Sequence, residues 1–309
     1  ESRGLGDVYK RQNISVLNNI TILNNSGEHS GIYAWQSHYN NITNSRWLDN
    51  YANYSAGIYL DRSHFNRLHN LTLVNSRVRR NGNLMAGGVI GLNISNSTDT
   101  YNVNISMVNV TTSGGIYDIY GGIVGLYYSD GNTFSLISIN SSRLNASFIY
   151  GGALGIAYSR LNTFVSVNIT NTTVTSSNDT YGGIFGMFDT INNTLSGITL
   201  INTNVTAGDE LYGGGFGLSY AINNTIRSVS ITNTYAKANS DVLGGGGFGL
   251  DYAVGNNVSE VNVTETKSFS YGIYGGGGFG YRLSHNNTVS GVIITNTSCL
   301  LYTSPSPRD

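Results

Sequence analysis

Cysteine, proline and charge are what this 309-residue chain has least of: one cysteine, two prolines and a charged fraction of 11%. Cys299, Pro305 and Pro307 all lie in the last eleven residues. Everything before them therefore has no disulfide and no thiolate site, and every backbone N–H there can join a ladder. No apolar run approaches the roughly 18 residues that a membrane-spanning helix needs. With no basic face, nucleic acid is not an expected partner.

Both ends read as foreign. The tail CLLYTSPSPRD can be written in codons whose reverse complement, read one base along, encodes SRGLGDVYKR, which is Ser2 to Arg11. The two termini thus look like opposite strands of one DNA element, the mosaic-end adapter of transposase-based sequencing libraries. Residues 1–12 and 299–309 are read as adapter-derived and set aside. The native part is then 13–298, a domain cut at both ends. Of the 16 basic and 17 acidic residues, Arg3, Lys10, Arg11 and Arg308, and Glu1, Asp7 and Asp309, fall in these segments, leaving 12 basic and 14 acidic.

What the chain has in abundance is repetition. A glycine line recurs as GGVIGL, GGIVGL, GGALGI, GGIFGM, GGGFGL, GGGGFGL and GGGGFGY, its last glycine at Gly91, Gly125, Gly155, Gly186, Gly217, Gly249 and Gly280. From the second line onward an asparagine follows seven positions later, at Asn132, Asn162, Asn193, Asn224, Asn256 and Asn287. Two residues further stands Phe134, Phe164, Leu195, Ile226, Val258 or Val289, then an alternating pair such as Ile137 with Ile139 or Val167 with Ile169. Alternation at period two is a strand with one buried face. A second asparagine column closes it at Asn171, Asn202, Asn233 and Asn296, with Ser141 and Glu265 in two coils. Gly31 and Gly57 open shorter turns, so the first coils are expected to be smaller.

One such coil cannot bury its own inward face, whereas stacking sets like on like at about 4.8 Å per coil. The expectation is an all-β, single-domain, right-handed single-stranded parallel β-helix, about nine coils of roughly 26–34 residues by the repeat count. Asparagine suits its corners because it tolerates left-handed backbone and its amide can bond the same amide one coil away. The stretch GIYLDRSHFNRLHNLTLVNS, from Gly57 to Ser76, resembles the repeats of right-handed parallel β-helix proteins of the NosD and pectate-lyase-like kind, and the GGIVGL lines resemble GLUG-type repeats of bacterial and archaeal surface proteins. That resemblance implies fold; relatives of this kind include polysaccharide lyases and hydrolases as well as non-catalytic adhesins and surface-layer proteins.

Catalytic clusters are sparse. A β-helix hydrolase needs neighbouring carboxylates, and a lyase needs grouped acidic Ca²⁺ ligands with a basic residue. No Asp-Asp pair occurs, and the histidines are scattered, with His64 and His69 near Arg62 and Arg67 as the densest titratable group, read as solvated corners. Asp118, Asp179, Asp209 and Asp241 precede the last glycine of the line by seven or eight residues and would stack, interrupted at Phe148. Such a column could hold Ca²⁺, though plain turn residues explain it as well. GGFGLDYAV at Gly246 to Val254 matches a Ca²⁺-binding β-roll once and is rejected because the period is near 31. The glycine runs form no phosphate loop, since no Lys-Ser or Lys-Thr follows.

Two surface features remain. Asn-x-Ser/Thr sequons recur, for instance at Asn41, Asn70, Asn104, Asn145, Asn168, Asn204, Asn262 and Asn286, allowing N-glycosylation or reflecting composition alone. Tyr128, Tyr158, Tyr220 and Tyr252 follow the glycine line, and an exposed row of them would suit sugar faces. An inward, core-forming row is the favoured expectation. The function expected is a non-catalytic extracellular or cell-surface solenoid, adhesin-like or surface-layer-like, meeting glycans or another surface; the alternatives are a carbohydrate-active β-helix enzyme and a spacer without ligand. No cofactor is expected beyond the Ca²⁺ option. Unpaired edges at both ends of the fragment would favour edge-to-edge self-association.

Overall fold

The computed structural model describes residues 9–10, 15–80, 85–112, 118–274 and 276–301. The rest of the adapter-like ends, 1–8, 11–12 and 302–309, lies outside the described residues. Among the described residues every regular element is a strand, and the strands stack in parallel into a solenoid. No helix in them is long and apolar enough to cross a membrane.

One turn of chain shows the plan. Leu154–Ala157 lies in a 10-stranded sheet, Thr163–Thr170 and Thr173–Ser176 in a 19-stranded sheet, and Thr180–Tyr181 in a 7-stranded sheet. The 19-stranded sheet joins two faces because Thr194–Ala207 and Thr225–Ala238 run as 14-residue strands across the bend between them. Coil sits on coil in the register that the columns imply: Phe134 on Phe164, Ile137 on Val167, Ile139 on Ile169. These side chains are buried in one continuous core, and each contributes on the order of 1.5–3 kcal/mol by leaving water.

Within the long strand the phase shifts once per coil. Phe134 and Ile137 both point inward although they are three positions apart, because Leu136 between them has φ 55. A left-handed residue there turns the chain and resets the alternation. In the early coils asparagine fills this position and builds a third ladder: Asn44, Asn70 and Asn102 each donate Nδ2–H to the Oδ1 of the previous rung at 2.9, 2.9 and 3.0 Å.

The early coils are also shorter. Bonded rungs are 26 residues apart at Asn40 and Asn66, 34 at Thr98 and Asn132, and 31 at Asn162 and Asn193. The 7-stranded sheet begins at Met85–Ala86, so the added residues are spent on that third face and its glycine turn.

The asparagine columns stand at two corners. Asn132, Asn162, Asn193, Asn224 and Asn256 are buried, and each donates Nδ2–H to the Oδ1 of the next rung, ending on Asn287, at 2.9 to 3.0 Å. Asn171, Asn202, Asn233 and Asn296 all have φ between 50 and 53; Asn202 donates to Asn171 at 3.3 Å and Asn233 to Asn202 at 2.8 Å. The sequon residues Asn70, Asn104, Asn168, Asn204 and Asn262 lie in strands with outward, exposed side chains. Cys299 is exposed, and Cys299 to Leu301, counted with the adapter-like tail, pair in register with Ser268 to Ser270.

Candidate functional site

The outer face of the 10-stranded sheet carries a column of aromatic and charged side chains. Apart from Tyr9–Lys10, each strand there has four residues; in Val124–Tyr127 the first and third enter the core, and Gly125 and Tyr127 face outward. The outward column runs Tyr127, Ala157, Phe188, Ser219, Asp251, Arg282. Beside it, on the short sheet, Tyr120, Tyr150, Tyr181 and Tyr212 stack at 4.6, 4.8 and 4.3 Å. Burial, reinforced by Asp118 and by Asp179 respectively, pushes the phenols of Tyr120 and Tyr181 up, the latter to about 12.

On the other side stand Tyr128, Tyr158, Tyr220 and Tyr252, and they do not enter the core. Tyr128, Tyr220 and Tyr252 are 50%, 45% and 39% exposed and Tyr158 is half-buried. The correction has a local cause: all four have φ between 47 and 53, so the chain turns at this residue and the side chain swings outward. The rings stack in pairs, Tyr128 on Tyr158 and Tyr220 on Tyr252, each 5.0 Å apart. Asp189, exposed and with φ 49, holds the place between the pairs.

Next to this row lies an open cleft of about 630 Å³ lined by Ile94, Tyr128, Asp130, Tyr158, Ser159, Arg160, Asp189 and Ile191. Both oxygens of Asp130 accept from Arg160, Oδ1 from its backbone N–H and Oδ2 from Nε, each at 2.9 Å. At the end of the outward column the buried carboxylate of Asp251 pairs with Arg282 at 2.6 Å, and the guanidinium lies 5.5 Å and 5.4 Å from the rings of Tyr212 and Tyr252. Burial pushes the Asp251 carboxyl up and Arg282 draws it back.

The acidic column also needs a correction. Asp118 pairs with Phe148, and the register then runs through Asp179, Glu210 and Asp241. Asp209 stands one residue out of line and is exposed, and Glu210 takes its place. Glu210 donates its backbone N–H to Asp179 at 3.1 Å and accepts from the Tyr212 hydroxyl; Asp118 accepts from Tyr120 at 3.4 Å. Among the described residues no group of three His, Cys, Asp or Glu side chains converges as a metal cage would.

His64 and His69 part company. His69 lies in a strand against Asp99 at 2.7 Å, while His64 belongs to a corner ladder that mixes residue types. The backbone N–H of His64 donates to His38 Nδ1, that of Asn96 to His64 Nδ1, and that of Asp130 to Asn96 Oδ1, at 3.0, 3.0 and 2.8 Å. The two imidazoles stack at 5.0 Å. Each member stands two residues before the buried Asn or Thr of its coil, the signal that could have revealed the ladder.

This ladder makes stability depend on pH. An imidazole accepts at Nδ1 only while that nitrogen is unprotonated, and burial, then His38, lowers the His64 pKa below 6.5. Below that unfolded value the unfolded chain binds more protons than the folded one. The ladder's contribution is thus full above about pH 6.5 and is lost as pH falls toward the lower folded pKa. Urea unfolding at pH 7.5 and 5 should show a lower midpoint at pH 5. His64→Asn, which keeps an acceptor, should flatten that difference; an unchanged slope would assign it to other groups.

No family model and no curated protein matches the chain. Among solved structures, the Agl-KA catalytic domain is similar at 15% identity with a TM-score of 0.26, over 90% of this chain and 62% of that one. The chain thus spans less than two thirds of that protein's length. HetL, a pentapeptide repeat protein of the cyanobacterium Nostoc sp., is similar at 12% identity with a TM-score of 0.16, over 93% of this chain and 89% of that one. On its own strand register, this chain is a parallel β-solenoid.

Proposed function

We propose that the protein is a non-catalytic recognition solenoid of the extracellular or cell-surface kind, adhesin-like or surface-layer-like, whose tyrosine row binds glycan. The observation that carries this reading is the 630 Å³ cleft, where exposed Tyr128 and half-buried Tyr158 stand with Asp130, Arg160 and Asp189. Tyrosine combines an apolar body with a hydroxyl, and a few polar groups beside such surface set orientation. Against catalysis, glycoside hydrolysis uses two carboxylates, and in this cleft both oxygens of Asp130 are engaged by Arg160.

The test is incubation of the protein with neutral and acidic polysaccharides, following bound protein and chain cleavage together. Binding without cleavage, weakened about tenfold or more by Tyr128→Ala with Tyr158→Ala, is expected. Cleavage would overturn the reading in favour of an enzyme, and no binding at all in favour of a spacer.

A further inference from the structure

The tyrosine row is interrupted once, and the interruption has a definite shape. With Asp189 in the row, the facing sides of Tyr158 and Tyr220 have no stacking neighbour between them, unlike their other sides, which carry Tyr128 and Tyr252. Phe188 closes the back of the gap, meeting Tyr158 edge-on at 5.6 Å and 79° and Tyr220 at 5.7 Å and 71°. The space is a separate pocket of about 320 Å³ lined by Tyr158, Phe188, Asp189, Tyr220, Ile222 and Tyr252. Asp189 forms no ion pair among the described residues, in contrast to Asp130 and Asp251.

The width of the gap selects its occupant. Two coil steps place Tyr158 and Tyr220 about 10 Å apart. A planar group such as a base or a guanidinium packs at about 3.5–4 Å from a ring, so it can touch only one wall of such a gap. With its centroid 5.6 and 5.7 Å from theirs, Phe188 lies about 2.5–3 Å off the line between the two tyrosine rings, so a rounded cation resting against it stands outward of that line, about 5–5.5 Å from both tyrosines and inside the roughly 6 Å reach of a cation–π contact. Three rings around one point, with a carboxylate at the rim and no competing cation paired to it, form an aromatic cage.

We propose that the notch at Asp189 binds a quaternary ammonium group of the choline type, with Tyr158 and Tyr220 as walls, Phe188 as floor and Asp189 as counter-ion. The proposal stands whether or not the tyrosine row binds glycan. Free choline and phosphocholine present the same head group, and comparing them tells whether an attached phosphate is tolerated beside Asp189.

The experiment is calorimetric titration at fixed ionic strength with tetramethylammonium, choline and phosphocholine. Guanidinium chloride and the neutral choline isostere 3,3-dimethyl-1-butanol serve as controls. Saturable binding of tetramethylammonium and choline is expected, with the controls at least about tenfold weaker. Asp189→Asn and Tyr220→Leu should each weaken binding about tenfold, and the remote Tyr101→Leu should not. Asparagine is at home at φ near 50°, so Asp189→Asn should stay folded and carry the test even if Tyr220→Leu does not. Absence of saturation, equal binding of either control, or an unaffected Asp189→Asn would overturn the proposal. Tyr158 and Asp189 line both the cleft and the notch, so glycan and choline binding are told apart by titrating each ligand separately on the unaltered protein, where either can fail without the other.

Discussion

Phe216→Ala is expected to remove about 3–5 kcal/mol of stability, the cost of a large aromatic lost from a packed interior. The ring is fully buried in a stack in which Phe185, Phe216, Phe248 and Phe279 follow one another at 4.8, 4.9 and 5.1 Å. Its removal strips partner atoms from the faces of two neighbours at once. In a solenoid each coil is held only by the coils above and below, so the cavity sits in the interface that carries cooperativity. Denaturant unfolding followed by circular dichroism should show an earlier and broader transition, the coils on either side of Phe216 separating into two steps. A loss under about 1 kcal/mol would mean that neighbouring core side chains collapse into the space.

Gly155→Ala should cost about 3 kcal/mol or more, at the upper end of overpacking penalties. This glycine sits in the middle of a strand, and the chain of the glycine turn crosses directly over it. A Cβ would lie 2.2 Å from the Tyr150 carbonyl oxygen and 2.4 Å from the Gly121 nitrogen. Both are backbone atoms, so no rotamer change relieves the clash. Gly131→Ala is the matched control: its φ is +65, but the nearest atom to an added Cβ is Ser97 Oγ at 3.9 Å, so only the backbone penalty of about 1 kcal/mol applies. Unfolding midpoints of the two variants side by side separate close approach from left-handed strain. Equal losses would show that the strand and turn can move apart.

The same distinction explains what could be read from residue types alone. Columns that repeat one residue were legible: the buried asparagines, the phenylalanines and the Ile/Val pairs all return at fixed spacing, and strand register follows from them. Direction at the turns was not. Counting by twos from Val124 and Leu126 sends Tyr128 into the core, and only the left-handed backbone at Tyr128 reverses it. Leu136 shifts the phase in the same way without an asparagine or glycine to announce it. Asp209 stands eight residues before Gly217, whereas the column position there, seven before the glycine as at Asp179, is Glu210; the extra glycine of the next coil is what brings Asp241 into line at eight. The His38, His64, Asn96 and Asp130 ladder leaves no single-residue column because three kinds of side chain do one job, accepting a backbone N–H.

The 31-residue step between Asn162 and Asn193 also bears on inheritance. Loss of residues 163–193 would join Asn162 to Thr194 with every ladder still in phase, so a rod of this design can lengthen or shorten by whole coils without losing its fold. Asp189 would leave with that segment, and Tyr158 would then meet Tyr220 directly, giving four tyrosines in one unbroken row. The repeated surface therefore has adjustable copy number, while the notch has a valency of one that a single recombination event can erase.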